Sequence, residues 1–183
     1  MKETRRRQPE ILRRKLLDAA TALAVREGVH SVTIGGVARA AGVTKGGLFH
    51  HFPDKDALLQ AMFLGQLEEL DAAIDAEMAA DEGTPGCFTR AYVLATLQHS
   101  ASPAAPLFAV LLMSPAMRAI WSDWLRARLG RHAGTDGGAG LELVRYAADG
   151  IWLSDLWQVD PGLRASRAEL RDTLLQSTRR NPT

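Results

Sequence analysis

An all-α fold of about nine helices is predicted by three features of this 183-residue chain. Apolar residues recur at three- and four-residue intervals between regularly spaced glycine and proline breakers. β-Branched residues are sparse within those intervals, and no segment alternates apolar and polar as a half-buried strand does. At 46% apolar and 23% charged, the composition supports a packed core and excludes wholesale disorder. The length suits one domain with a small appendage. No apolar run approaches the roughly 18 residues of a spanning helix, and the basic start leads into Gln8-Pro9-Glu10 instead of an apolar leader. The chain is therefore expected to be soluble and cytoplasmic, with no membrane partner.

The elements follow in order. Leu16, Leu17, Ala20, Leu23 and Ala24 set a first helix over about 10–27, closed by Gly28. Thr33 caps a short second helix whose apolar side is Ile34, Val37, Ala38 and Ala41; with Gly36 at the third position there is no capping box. Gly42-Val43 makes a tight turn. Thr44 caps a third helix from Lys45 to about His51, ended by Pro53. A long fourth helix, about 54–80, buries Leu58, Leu59, Met62, Phe63, Leu67, Leu70, Ile74 and Met78. Breakers at 83–86, 100–103, 114–115, 130–140 and 160–162 then delimit helices over about 87–100, 105–113, 116–130, 140–158 and 163–179.

Charge is distributed unevenly. Residues 1–60 hold 11 Lys+Arg against 6 Asp+Glu, a net +5, while the remainder holds 11 against 15, a net −4. All four lysines (Lys2, Lys15, Lys45 and Lys55) lie in the first third. A basic head on an acidic body points to an anionic partner for the head alone, with a solvated basic face as the plainer alternative.

Two short helices joined by a glycine turn, the second behind a threonine cap, have the pattern of a helix-turn-helix. Helix 33–41 buries one side against helix 10–27 and so sets the angle of helix 44–51, which presents Thr44, Lys45, Gly46, Gly47 and His50. Leu48 and Phe52 anchor it inward. Glycines cost about 1 kcal/mol each in a helix relative to alanine. Two in succession suit a place where backbone meets something bulky.

The run Leu16-Leu-Asp-Ala-Ala-Thr-Ala-Leu, then Gly28, then Thr33 through Leu59, closely resembles the DNA-binding head of the TetR family of bacterial repressors over about residues 10–60. The resemblance implies a basic arm (1–9), a helix-turn-helix head (10–55) and a ligand-binding and dimerisation body (56–183). It implies a homodimer on a near-palindromic operator in double-stranded DNA, with recognition helices roughly 34–36 Å apart or a little more. A small-molecule effector would release the DNA. Carried over by position, Thr33 and Thr44 cap helices at phosphate and Lys45 faces the groove. Gly46, Gly47, Phe49 and His50 lie along the DNA surface, and Lys55 grips phosphate. Phe49 stands where the family usually has tyrosine, Gly47 where threonine is common, and Ala24 where phenylalanine is usual. These departures bear on which sequence is read. The arm, with Arg5, Arg6, Arg7, Arg13, Arg14 and Lys15, either enters a minor groove or forms a solvated tail.

All four tryptophans lie in the body. Phe108, Met113, Met117, Trp121, Trp124 and Trp152 are candidate linings of an apolar effector pocket, with core packing as the alternative for each. Asp149 and Asp155 stand among tryptophans. Asp149 has Arg145 one turn back, whereas Asp155 has no opposite charge at i±3 or i±4. Carboxylates beside tryptophans suit a planar cation. This segment resembles the multidrug-sensing branch of the same family, which implies an aromatic or lipophilic effector, cationic or neutral, and control of an efflux gene. A native metabolite or lipid is the alternative effector. The last two helices occupy the dimerising position.

No phosphate loop, zinc-protease helix or nucleophile elbow is present, so an enzyme and a cofactor are not expected. His50 and His51 are adjacent and diverge by about 100°, which does not suit chelation of a metal. Cys87 is the single cysteine and has no partner for a disulfide. A ligand-independent architectural DNA binder is the remaining competitor.

Overall fold

A computed structural model describes residues 2–158, 162 and 165–180, with the side chains of 2–8 and 180 outside the description. Among these residues there are ten α-helices, a short 3-10 turn and no strand, so the all-α expectation holds. The helices are α1 Lys2–Glu27, α2 Ile34–Ala41, α3 Lys45–Phe49, α4 Lys55–Ala80, α5 Cys87–Ser100, α6 Ala105–Leu111, α7 Pro115–Arg131, α8 Ala133–Asp136, α9 Ala139–Leu156 and α10 Arg167–Arg180. The chain divides into two compact units: Met1–Gln66 with Pro106–Met117, and Leu67–Ala105 with Arg118–Thr183. The division falls inside α4, eleven residues beyond the expected head boundary at 55.

In the first unit, Leu16, Ala20, Leu23 and Ala24 form one stripe of α1 and are buried, as are Val37, Ala38 and Ala41 of α2. Leu48 and Phe52 are fully buried, as their spacing predicts. Gly42 ends α2 in the left-handed region (φ 67°), where a side chain is strained, and turns the chain into α3. Phe63 of α4 stacks on Phe108 of α6 with ring centroids 4.9 Å apart. α1 begins at Lys2 instead of near Glu10, with Pro9 inside it, so helical backbone occupies most of the stretch read as an arm.

In the second unit, Leu70, Ile74, Phe88, Ala91, Tyr92 and Ala95 form the core, with Trp121, Trp124, Leu125 and Leu129 of α7 packed against it. A second cluster joins Val93 of α5 to Val144 and Ala148 of α9, with Leu174 and Leu175 of α10 against it. α8 is the element that periodicity did not predict, because four residues in a glycine-rich stretch carry no helical repeat. α10 begins at Arg167, four residues later than expected. The Ser166 hydroxyl accepts from the Glu169 amide at 3.2 Å, and Glu169 accepts from the Ser166 amide at 2.7 Å, forming a capping box.

Candidate functional site

Three successive helices in the first unit begin with a side-chain cap. Thr33 Oγ1 accepts from the Gly36 amide at 3.0 Å, Thr44 Oγ1 from the Gly47 amide at 3.1 Å, and Asp54 Oδ1 from the Ala57 amide at 2.7 Å. Each threonine cap uses a lone pair and leaves the hydroxyl hydrogen to donate outward. Thr33, Thr44, Lys45, Gly46, Phe49 and His50 are exposed; Gly47 and Lys55 are partly so. Lys45 lies close over α2, where a Cβ on Gly35 would stand 3.1 Å from Lys45 Cε. Gly35 thus makes room for the lysine stem. Sequence reading missed this role because Gly35 sits inside a helix, where glycine is only a penalty.

Phe49 is 48% exposed on α3, whereas Leu48 beside it is sealed. The small helix therefore shows a cation, two glycines, an aromatic ring and a histidine on its outer side. The rings of His50 and His51 meet edge to face, with centroids 5.6 Å apart at 80°. Among the described residues no group of three His, Cys, Asp or Glu is placed to hold a metal ion. The Arg13 guanidinium carbon stands 5.0 Å over the Phe52 ring, so this arginine braces α1 against the end of the head. The side chains of Arg5, Arg6 and Arg7 lie outside the described residues.

The residues read as an effector lining fall in both units. Phe108, Met113 and Met117 belong to the first unit, and Trp121, Trp124, Asp149, Trp152 and Asp155 to the second. Phe108 and Met117 are buried, while Met113 is 76% exposed. The rings of Trp121 and Trp124 lie 4.9 Å apart, tilted by 34°, and the Trp124 indole donates to Asp71 Oδ1 at 2.7 Å. Asp71 also pairs with Arg128, itself bonded to Asp75 at 2.6 Å. Trp124 is thus committed to the wall between α4 and α7. Asp155, which has no opposite charge one turn away, pairs instead with Arg167 at the start of α10. That correction comes from a residue twelve positions on, which helical spacing cannot see.

Asp149 keeps a distinctive environment. Tyr92 of α5 donates its phenol to Asp149 Oδ1 at 2.7 Å. Arg145, the partner that spacing suggests, turns away and donates to the Thr89 hydroxyl at 2.7 Å and to the Asp136 carbonyl at 3.3 Å. Burial pushes the Asp149 carboxyl up to about 6, only partly offset by the Tyr92 bond and the Arg145 charge. Burial and the Asp149 charge likewise hold the Tyr92 phenol protonated well past its ordinary range. Tyr92 was not singled out from sequence, since no local pattern in helix 87–100 sets its phenol apart.

A pH dependence follows. Because the folded carboxyl titrates above its unfolded value of 3.8, the native state binds the extra proton between these values. The group's contribution therefore favours folding below about pH 4 and turns into a cost as pH rises through 6. Asp149→Asn retains an oxygen for Tyr92 and removes the ionisation. It is expected to be more stable than the parent by about 2 kcal/mol at pH 8, with the difference shrinking at pH 5. Urea unfolding of both proteins at the two pH values measures this, and a difference independent of pH would refute it.

Residues 86–179 match the family described as "Tetracyclin repressor-like, C-terminal domain", and residues 16–62 match "Bacterial regulatory proteins, tetR family". The HTH-type transcriptional regulator BetI of Escherichia coli O157:H7 is 29% identical over 161 residues, covering 78% of this chain and 81% of that protein. SCO4454, a TetR-family transcriptional regulator from Streptomyces coelicolor, superposes with a TM-score of 0.68 at 24% identity, covering 97% of this chain and 91% of that one. The multidrug binding protein EbrR, complexed with malachite green, superposes with a TM-score of 0.64 at 20% identity, covering 91% and 97%.

Proposed function

The chain belongs to the TetR family of bacterial regulatory proteins, DNA-binding and non-enzymatic, and from that premise we propose how its residues divide the work. Thr33 and Thr44 donate their free hydroxyl hydrogens to operator phosphates, and Lys55 adds charge at the start of α4. Lys45, Gly46, Gly47, Phe49 and His50 form the surface that enters the major groove. The support is the arrangement of α2 and α3: capped, joined through left-handed Gly42, and anchored by Leu48 while their outer faces stay open.

The repressor acts as a homodimer, with the outer face of α9 at the interface. Leu143 and Tyr146 of α9, and Trp157 at its C-terminal cap, are each more than 60% exposed and fall on one stripe with Gly150. Exposed apolar stripes of this kind are ordinarily covered by a partner. A small aromatic or lipophilic effector releases the operator, and the regulated gene is an efflux function. The observation that carries the effector reading is Asp149, a half-buried carboxylate whose ionisation is costly and whose hydrogen bond among the described residues comes from Tyr92. A planar cation would compensate that charge. Asp155, already paired with Arg167, contributes less.

The experiment is a gel shift on the DNA upstream of the protein's own gene, with and without malachite green, on the parent and Asp149→Asn. Dye-dependent release that requires about tenfold more dye in the variant is expected. DNA binding that no cationic dye disturbs would transfer the effector role to a metabolite or lipid.

A further inference from the structure

The second unit contains a cavity of about 620 Å³ that the effector reading leaves unused. One wall is formed by half-buried residues of α7: Trp121, Leu125 and Leu129, at four-residue spacing, whose other sides pack on the core. Arg145 of α9 lines the opposite side, with only 7% of its surface exposed. Its two hydrogen bonds use Nη1 alone, to the Thr89 hydroxyl and the Asp136 carbonyl. The remaining guanidinium N–H groups have no protein partner among the described residues.

Nor does any carboxylate there reach ion-pairing distance of Arg145. Asp136 and Glu142 act on it through charge at longer range. Asp136 already accepts from the Thr89 amide, the Thr89 hydroxyl and the Thr135 hydroxyl. Glu142, at the rim, accepts from the Tyr146 phenol. A nearly buried cation without a direct counter-ion is costly in a folded protein, and a guanidinium fork is suited to a planar carboxylate.

We propose that this cavity binds a flat aromatic carboxylate, its ring against Trp121, Leu125 and Leu129 and its anion on the free edge of Arg145. The volume falls within the range of sites for small organic ligands. The opposite charge preference separates this site from that at Asp149.

Calorimetric titration of the full-length protein with naphthalene carboxylate and with its uncharged carboxamide tests the proposal. The carboxylate should bind at least about tenfold more tightly. Arg145→Gln preserves a donor for Thr89 and removes the charge, and should bring the two ligands to parity. Gly130 of α7 also lines the cavity, and a Cβ added there meets nothing within 4 Å. Gly130→Phe should therefore fill the space without disturbing the fold and weaken both ligands, which keeps the test decisive if Arg145→Gln fails to fold. Equal affinities in the parent, no binding of either compound, a preference that survives Arg145→Gln, or undiminished binding in Gly130→Phe would each overturn the proposal. None of these readings involves DNA or a cationic dye, so failure here is separate from failure of the effector assignment.

Discussion

Asp136→Ala is expected to destabilise the protein by about 3 kcal/mol, lowering the melting temperature by roughly 6–12 °C. Asp136 is 1% exposed and accepts three hydrogen bonds: the Thr89 amide at 2.8 Å, the Thr89 hydroxyl at 2.7 Å and the Thr135 hydroxyl at 2.9 Å. The Thr89 amide belongs to the first turn of α5, so Asp136 caps that helix from 47 residues away. A local cap is excluded at Gly86. The residue there sits at φ 84°, and a Cβ would stand 3.1 Å from both the Thr178 carbonyl and Arg90 Nη1.

Removing the carboxylate leaves the Thr89 amide and hydroxyl without their acceptor, the Thr135 hydroxyl keeping the His132 carbonyl, and takes away the negative charge that Arg145 reaches through Thr89. Asp136→Asn, which keeps one acceptor oxygen, should fall between parent and alanine. Thermal unfolding of the three proteins measures this. A loss below about 1 kcal/mol for alanine would show that water replaces the carboxylate, contrary to the burial.

Lys45→Glu should reduce operator affinity by about 100-fold at moderate salt while leaving the melting temperature within a degree or so of the parent. Lys45 is exposed at the first position of α3, and the described residues place no carboxylate on it, so the folded protein loses little. A dimer presents the residue twice, and both copies would turn from attracting phosphate to repelling it. Lys45→Ala separates the two ways a lysine works. Uniform weakening across operator variants, with a salt slope shallower by about two ions per dimer, marks a phosphate contact. Weakening confined to one base position marks a base contact. Unchanged affinity in Lys45→Glu, measured by fluorescence anisotropy on the upstream DNA, would remove α3 from the interface.

The head was legible because its determinants are local. Thr33 and Thr44 cap their own helices three residues on, Gly42 turns the chain where it stands, and Leu48 and Phe52 point inward by helical spacing alone. Even Lys45 could be placed by counting from its cap. The body was legible only as helices. Breakers delimited α5 as a helix, yet they did not distinguish Tyr92, whose phenol meets Asp149 across 57 positions. Spacing offered Arg145 to Asp149 and left Asp155 alone; packing reversed both, giving Asp149 a tyrosine and Asp155 the first arginine of α10.

The difference is one of range. Helix propensity, caps and breakers act within four residues, so the sequence by itself determined the all-α architecture, the helix-turn-helix and the exposed cation and glycines of α3. Burial, and with it the cost of a charge, depends on which helix lies opposite. Only the tertiary structure could therefore decide that Asp136 caps a distant helix, that Trp124 is held in a wall by Asp71, and that Arg145 is nearly buried without a carboxylate of its own.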